Sequence, residues 1–461
     1  GLEKIGDYAF YGMSNLAEIV VSDEAVLERI GEQAFANCSS LTEYALPATV
    51  KTVGEEAFTG CSALTEFTVG ANVESIEINT FLGCEALTAI NVDAENLYYS
   101  SRDGVLFDKD KTNLIEYPYG KTTESYTVPA TVSEIGAWAF FGNKTLRTID
   151  LNQAIMVRKY AFAECSNLTA ISADKIKYAE IGVVEETPWL NNKTNDFIML
   201  GGSLLEYRGS AKAVSLETAV SISPFAFAEN KNLKSITIKN GLVNIGERAF
   251  YKCENLSAVY MNNTNQMVFI GTNVFGRNAA GRKIYVPRNL YDEYKENTFW
   301  KQYSDSLTVH QTVIKFNSNG GSACADGSVE YLGYVGELPV PEKEGYKFLG
   351  WYDTPDFAGR KIEAGLSWDS MEAEVTLYAK YEEKKPIVYS INYYPNGGSI
   401  AAGAVHTYTA EDDVILPTAT KSGYEFKGWY YDEEFTRPAG SGWKKGETGI
   451  KYLYAKWEAV K

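Results

Sequence analysis

GEEAFTGCSALTEFTV, residues 54–69, is a unit that the chain writes again and again over its first two thirds. GEQAFANCSSLTEYAL (31–46), IEINTFLGCEALTAINV (76–92), RKYAFAECSNLTAI (158–171) and GERAFYKCENLSAVYM (246–261) fall on it, and AWAFFGNKTLRTIDL and PFAFAENKNLKSITI match with Asn in the Cys place. Cys38, Cys61 and Cys84 recur every 23 residues, as do Phe35, Phe58 and Phe81. That period lies in the range of leucine-rich repeats, about 20–29 residues. Within one unit, Leu64, Phe67 and Val69 occupy positions 1, 4 and 6, so the last two point to one face of a short strand. A turn follows, then a short helical or 3-10 segment around Ala57-Phe58. Phe10, Phe35, Phe58, Phe81, Phe140, Phe162, Phe227 and Phe250 then form an internal ladder, and because no unit buries its face alone, stability is a nearest-neighbour sum.

Two stretches break the beat: DAENLYYSSRDGVLFDKDKTNLIEYPYGKTTESYTVP after Val92, and TPWLNNKTNDFIMLGGSLLEYRGSAKAVSL after Ile171. Their short apolar runs (104–107, 114–117, 197–200, 204–207) predict widened rungs that add hairpin strands. The AF-x-x-C-x-x-L-x-x-I beat and these two insertions together resemble the BspA-like leucine-rich repeat family of bacterial surface proteins over about residues 1–300. The resemblance implies export, surface display and adhesion to protein or matrix; the periodicity itself gives a solenoid. IGTNVFGRNAAGRKIYVP is a degenerate last rung, and RNLYDEYKENTFWKQYSD has the helical periodicity of a cover for the open end.

Past His310 the composition changes. IKFNSNGGS (314–322) returns as INYYPNGGS (391–399), EGYKFLGWYD (344–353) as SGYEFKGWYY (422–431), and TLYAKYE (376–382) as YLYAKWE (452–458). Asn-Gly-Gly is a hairpin-turn signal, so each copy is expected to be β-rich. Trp351, Trp429, Tyr378 and Tyr454 are the expected core aromatics. NGG, GY-x-F-x-GWY and LYAKW resemble the Listeria-Bacteroides, or internalin B-type, repeat, which implies a small ubiquitin-like (β-grasp) domain used as a spacer or weak interaction module. The expected layout is a leucine-rich-repeat solenoid of short strands and short helices or 3-10 turns over residues 1–310, capped near 270–310, then β-rich modules at 312–383 and 387–458.

The chemistry is sparse. A net charge of -17 leaves no field to gather nucleic acid or anionic lipid. Two histidines supply no metal cluster or proton shuttle. No nucleotide-binding, zinc-protease or nucleophile-elbow motif occurs, and Asp108-Lys-Asp-Lys-Thr-Asn lacks the Gly and Glu of a calcium loop. No run is long and apolar enough to span a bilayer. A slot that takes Cys or Asn is buried and small, so Cys38, Cys61, Cys84, Cys165 and Cys253 read as buried free thiols, with Cys324 alone in its module. Neither cofactor nor enzyme activity is expected. The chain opens inside a rung with neither leader nor anchor, which reads as a piece trimmed from an exported protein.

With positions 1, 4 and 6 inward, positions 3 and 5 face out onto a concave sheet. Position 3 reads Glu18, Glu43, Glu66, Ala89, Thr148, Ala170, Ser235, Ala258; position 5 reads Val20, Ala45, Thr68, Asn91, Asp150, Ser172, Thr237, Tyr260. Glu18, Glu43 and Glu66 on consecutive rungs would repel unless a cationic partner relieved them. The candidate binding residues are therefore Glu18, Glu43, Glu66, Thr68, Asn91, Thr148, Asp150 and Tyr260, for a protein, matrix or glycan ligand. The competing reading is a structural spacer or assembly element of the cell envelope with no ligand.

Overall fold

The computed structural model describes residues 1–22, 26–239, 241–263, 265–370, 372 and 374–461. The chain divides into two compact units: Gly1–Thr312 with Ser328–Tyr334 and Ser367–Ala373, and the remainder of 313–461.

Most rungs of the first unit contribute to two parallel ladders. In one, Glu43–Ala45, Glu66–Val69 and Ala89–Val92 pair in register, Tyr44 on Phe67 and Phe67 on Ile90. In the other, Lys4–Ile5, Arg29–Ile30, Thr52–Val53 and Ser75–Ile76 pair likewise. The predicted inward positions are buried: Leu64, Phe67 and Val69 are fully covered.

The Ala-Phe segment is a stack of turns, and helical geometry in the first unit is confined, among the described residues, to Pro188–Asn191 and the 288–306 region. The residue two before the Phe has a left-handed backbone in the regular rungs: Gln33, Glu56, Asn79, Trp138, Tyr160, Phe225 and Arg248 all lie at φ between 48° and 63°. That conformation costs a non-glycine residue about 1–2 kcal/mol. The cost is offset because it aims the amide along the stack: Gln33 N–H donates to Glu55 O (2.9 Å), Glu56 to Ile78 O (3.2 Å) and Tyr160 to Ile181 O (3.1 Å). A helix would spend those amides inside its own rung. Close stacking also fixes Gly54, where a Cβ would lie 2.6 Å from the carbonyl carbon of Gly31.

The Phe ladder forms, with ring centroids 5.1 Å apart for Phe10–Phe35, 5.2 Å for Phe35–Phe58 and 4.8 Å for Phe227–Phe250. Beside it each thiol donates to the Phe carbonyl of the previous rung: Cys61 to Phe35, Cys84 to Phe58 and Cys253 to Phe227, at 3.0–3.2 Å. Asn278 does the same to Phe250 (2.7 Å), so the last rung keeps the slot with Asn in it. All five of these repeat cysteines are free and buried, and burial pushes Cys61, Cys165 and Cys253 up to about 12.

The widened rungs fold as expected. Val105–Asp108 and Asn113–Glu116 pair antiparallel, with Tyr99–Arg102 beyond, and so do Phe197–Leu200 and Ser203–Tyr207. Each opens a new run of stacked rings with Tyr: Tyr117 stacks on Phe140 at 4.8 Å and Tyr207 on Phe227 at 4.9 Å. Leu114 pairs with Ile135 and Leu204 with Ile222. From that strand position to the ring, a regular rung takes five steps (Ile135 to Phe140) and a widened rung three (Leu114 to Tyr117). The two residues dropped are those of the left-handed turn.

The far end is closed by Arg288–Leu290, Tyr291–Glu296 and Lys301–Ser306. An open rung exposes unpaired backbone groups, and the aromatics supply partners. Val268 N–H donates to Tyr294 Oη (3.1 Å), Phe275 N–H to Tyr303 Oη (3.2 Å), and Trp300 Nε1 to Val268 O (2.7 Å).

The two repeated segments share one sheet plan. Gln311–Asn317 lies parallel to Glu374–Glu383, which is antiparallel to Tyr346–Tyr352; Tyr389–Tyr394, Lys451–Ala459 and Tyr424–Tyr430 repeat this. Trp351 and Trp429 are buried and donate to Pro339 O (2.7 Å) and Pro417 O (2.6 Å). Tyr378 and Tyr454 are not core residues. Strand alternation turns Leu377 and Ala379, and Leu453 and Ala455, inward and leaves both tyrosines half-exposed. In the first module Asn-Gly-Gly lies in the 318–326 connection between the neighbouring strands Gln311–Asn317 and Gly327–Glu330. In both modules the Asn, Asn319 and Asn396 at φ 47° and 48°, donates from Nδ2 to Ala379 O and Ala455 O, tying the turn to a strand far along the chain.

Candidate binding face

The outward columns are real but come in three blocks. Glu43 and Glu66 are register partners and exposed, and so Thr68 pairs with Asn91. Thr148 and Asp150 share the strand Thr148–Asp150, which pairs with Ser125–Thr127 and Ala170–Ser172. Tyr260 lies in a third ladder of Ala213–Leu216, Ser235–Ile238, Ala258–Met261, Lys283–Tyr285 and Leu307–Thr308.

Glu18 does not join Glu43 and Glu66. It is exposed and lies outside any strand, so the expected row of three glutamates is a pair. The pair sits at the roughly 4.8 Å spacing of neighbouring strands.

The blocks are separated by inserted chain. After Ala89–Val92 the tip of the first widened rung fills the next place, with Ile90 N–H donating to Gly104 O (2.9 Å). After Ala170–Ser172 the short helix Pro188–Asn191 intervenes; Thr187 caps it, and Trp189 N–H donates to Leu168 O (2.8 Å). Ser125, Thr127, Ala213 and Ser215 head the second and third blocks, and a column read rung to rung passes over them because their strands follow insertions.

The third block holds a feature that sequence reasoning missed. Tyr260 stacks on Tyr285 at 4.8 Å with ring planes 9° apart, and His310 meets Tyr285 edge-on at 5.3 Å. His310 Nε2 is buried with no hydrogen-bond partner. The signal was there: KIYVP at 283–287 matches AVYMN at 258–262. The flat pair of phenols offers stacking area at low entropic cost. In the same ladder Thr237 pairs with Tyr260 and Ser215 with Thr237, both supplying hydroxyls; in the second block Thr127 and Thr148 do so, Thr148 Oγ1 donating to Ser125 Oγ at 2.9 Å.

The opposite ladder carries a different pattern. Arg158 forks onto both oxygens of Glu134 (2.8 and 2.9 Å) and reaches Glu180 (2.9 Å), joining three rungs. Those hydrogen bonds hold its guanidinium still further above its ordinary range. Elsewhere the acids are used locally: Asp108 accepts from the amides of Thr112 (2.7 Å) and Asn113 (2.9 Å), as a turn cap and not a calcium loop. Among the described residues no group of three or more His, Cys, Asp or Glu is placed to hold a metal, and no helix is long and apolar enough to cross a membrane. Cys324 is half-buried, and burial raises its thiol above the ordinary value.

Comparison with known proteins agrees with this architecture. The BspA type leucine rich repeat region matches in six copies across residues 1–102, 116–192 and 204–325. The Listeria-Bacteroides repeat domain matches 313–380 and 389–456. A putative Gly-rich membrane protein of Evansella cellulosilytica is 34% identical over 153 residues, 32% of this chain and 16% of that protein. Internalin H of Listeria monocytogenes serovar 1/2a is 35% identical over 101 residues, 21% of this chain and 16% of its own length. The matched stretches thus span about a sixth of these relatives. Among solved structures, the pneumococcal vaccine antigen PcpA is 23% identical, covering 66% of this chain and 75% of that one at a TM-score of 0.37. A leucine-rich repeat protein of Eubacterium ventriosum is 19% identical, covering 61% and 81% at 0.39.

Proposed function

Because the chain belongs to the BspA-type leucine-rich-repeat family, we propose that it is a non-enzymatic, surface-displayed or secreted binding protein. Its outward strand ladders are the adhesive surface and its C-terminal modules the stalk. The observation that carries this reading is the contrast between the two sides of each strand: most inward positions are buried, while the outward ones present small polar groups, the Glu43/Glu66 pair and the Tyr260–Tyr285 stack. Such a surface suits a broad contact with a protein, matrix or glycan ligand, tyrosine anchoring and hydroxyls adapting. Glu43, Glu66, Thr68, Asn91, Thr148, Asp150 and Tyr260 remain the proposed contacts, and Glu18 serves at most as a flank. We assign the solenoid to 1–310 and the modules to 312–383 and 387–458. The central parallel pair of first and last strands supports a β-grasp plan for each module, with irregular chain in place of the crossing helix among the described residues.

The test is a panel of immobilised matrix proteins and glycans probed with the full chain. Cutting at 311 is avoided, since 328–334 and 367–373 group with the first unit. Saturable binding to a panel member is the expected result. No binding anywhere favours the spacer reading.

A further inference from the structure

Dropping two residues from the turn has a local result in both widened rungs: a cleft opens where the left-handed turn would have been. One cleft, about 380 Å³, is lined by Glu180, Gly182, Leu205, Glu206 and Pro224 among others; the second, about 170 Å³, by Asn79, Leu106, Asn113, Ile115, Glu116 and Gly136 among others. Leu205-Glu206 and Ile115-Glu116 occupy the same place relative to Tyr207 and Tyr117, so the clefts are equivalent.

Their charges are not. Glu206 is held by Arg208, Nε at 2.9 Å and Nη2 at 2.7 Å. Glu116 has no ion pair and no hydrogen-bond donor among the described residues, and burial alone pushes its carboxyl well above the ordinary 4.5. Two further wall residues of the same cleft, Asn79 and Asn113, have buried Oδ1 atoms without a partner. Buried acceptors left unpaired cost about 1–3 kcal/mol each, and a buried carboxylate more. Water could satisfy the amides. A cation would pair with both amide oxygens and with an ionised Glu116 at once.

We propose that the Asn79–Asn113–Glu116 cleft is a binding site for a compact cation, with Ca²⁺ the best match to an all-oxygen donor set. A cavity of this size has room for the ion with several of its waters, which would complete the coordination that three side chains leave open. One carboxylate in the set, with the exposed Glu77 on the same wall, places the affinity in the weak range of calcium sites, about 10⁻⁴–10⁻³ M. A primary ammonium group shares the chemistry. This site does not depend on the adhesive role of the strand face.

The experiment is calorimetric titration of the full chain with CaCl₂ and, separately, with methylammonium chloride, each repeated on Glu116→Gln, Asn113→Ala and Glu206→Gln. The expected result is one saturable Ca²⁺ site, weakened at least tenfold by Glu116→Gln, weakened by Asn113→Ala and unchanged by Glu206→Gln. Circular dichroism confirms that each variant is folded. Ca²⁺ binding should also release protons, read as a dependence of the heat on buffer, since Glu116 must ionise; Glu77 and the Cys84 thiol, which burial holds well above its ordinary value, are the other titratable groups beside it. Methylammonium binding alone, lost in Glu116→Gln, would keep the cation site and assign it to an amine. No saturable binding of either cation, or binding untouched by Glu116→Gln, would overturn the proposal.

Discussion

A regular rung and a widened rung arrive at a stacked aromatic ring by paths that differ by two residues. The regular rung spends those residues on a strained turn whose amide ties it to its neighbour, as Glu56 is tied to Ile78. The widened rung omits the turn, puts Tyr where Phe stood and leaves a cleft. The rings do not run through: among the described residues no ring pair joins Phe81 to Tyr117 or Phe162 to Tyr207, so each insertion ends one run of stacked rings and its Tyr opens the next.

Removing a ring should produce the largest effect. Phe58 is fully buried between Phe35 and Phe81, so Phe58→Ala should cost about 3–5 kcal/mol in urea unfolding. Tyr117→Ala should cost less, because Tyr117 has a stacked ring on one side only, Phe140. Equal losses would break the distinction between the rung types. Next comes the joint between them. Asn96 is fully buried; its Nδ2 donates to Gly70 O and Val73 O, and its Oδ1 accepts from the amides of Tyr98 and Tyr99. Asn96→Leu strips four backbone groups of partners and should cost about 3 kcal/mol. A loss under about 1 kcal/mol would mean that the insertion is not anchored there.

The two glutamates give a smaller effect of opposite sign. Because the folded-state pKa of Glu116 is raised, the native state holds its proton where the unfolded state has lost it. Its contribution to stability is therefore neutral at acid pH and becomes unfavourable as pH rises above the ordinary 4.5. In metal-free buffer Glu116→Gln should raise the melting temperature at pH 7 and leave it unchanged near pH 4. Glu206→Gln should lower it slightly at pH 7, since a partly exposed pair with Arg208 is worth about 0.2–1 kcal/mol. Identical pH profiles for the two variants would erase the contrast between the clefts. Last, a thiol reagent at pH 8 should modify Cys324 in the native protein and the five rung cysteines only on unfolding, since the thiolate is the reactive form and their burial suppresses it. Rapid labelling of Cys61 would contradict the buried slot.

The sequence made much of this legible because a repeat states its packing many times over. Inward positions, the Phe ladder, the thiol slot and the hairpins at both insertions could be read from spacing. The expected helical or 3-10 segment is met by turns with i→i+3 bonds, such as Ala57 N–H to Gly54 O; the left-handed residue among them could not be read from the Gly-x-x-Ala-Phe spacing, because it is set by amides that bond to the next rung. Glu18 was misread for a related reason: a column copied from rung to rung assumes a strand, and the ladder of Glu43 and Glu66 does not extend to residue 18. Tyr285 and His310 were hidden by a rung whose letters had drifted while its register had not. The clefts were hidden because they arise from a count of residues between two fixed points, which only the pairing of Leu114 with Ile135 supplies.

The adhesive role assigned to the strand face rests on its outward residues, and substituting them is the most direct test. With whichever panel ligand binds the full chain, affinity should be measured for Tyr260→Ala/Tyr285→Ala and for Glu43→Lys/Glu66→Lys, beside Glu382→Gln in the C-terminal region as a control. The account predicts that at least one face variant, still folded, weakens binding tenfold or more while the control binds as the parent does. Undiminished binding by both face variants would place the adhesive surface elsewhere on the chain.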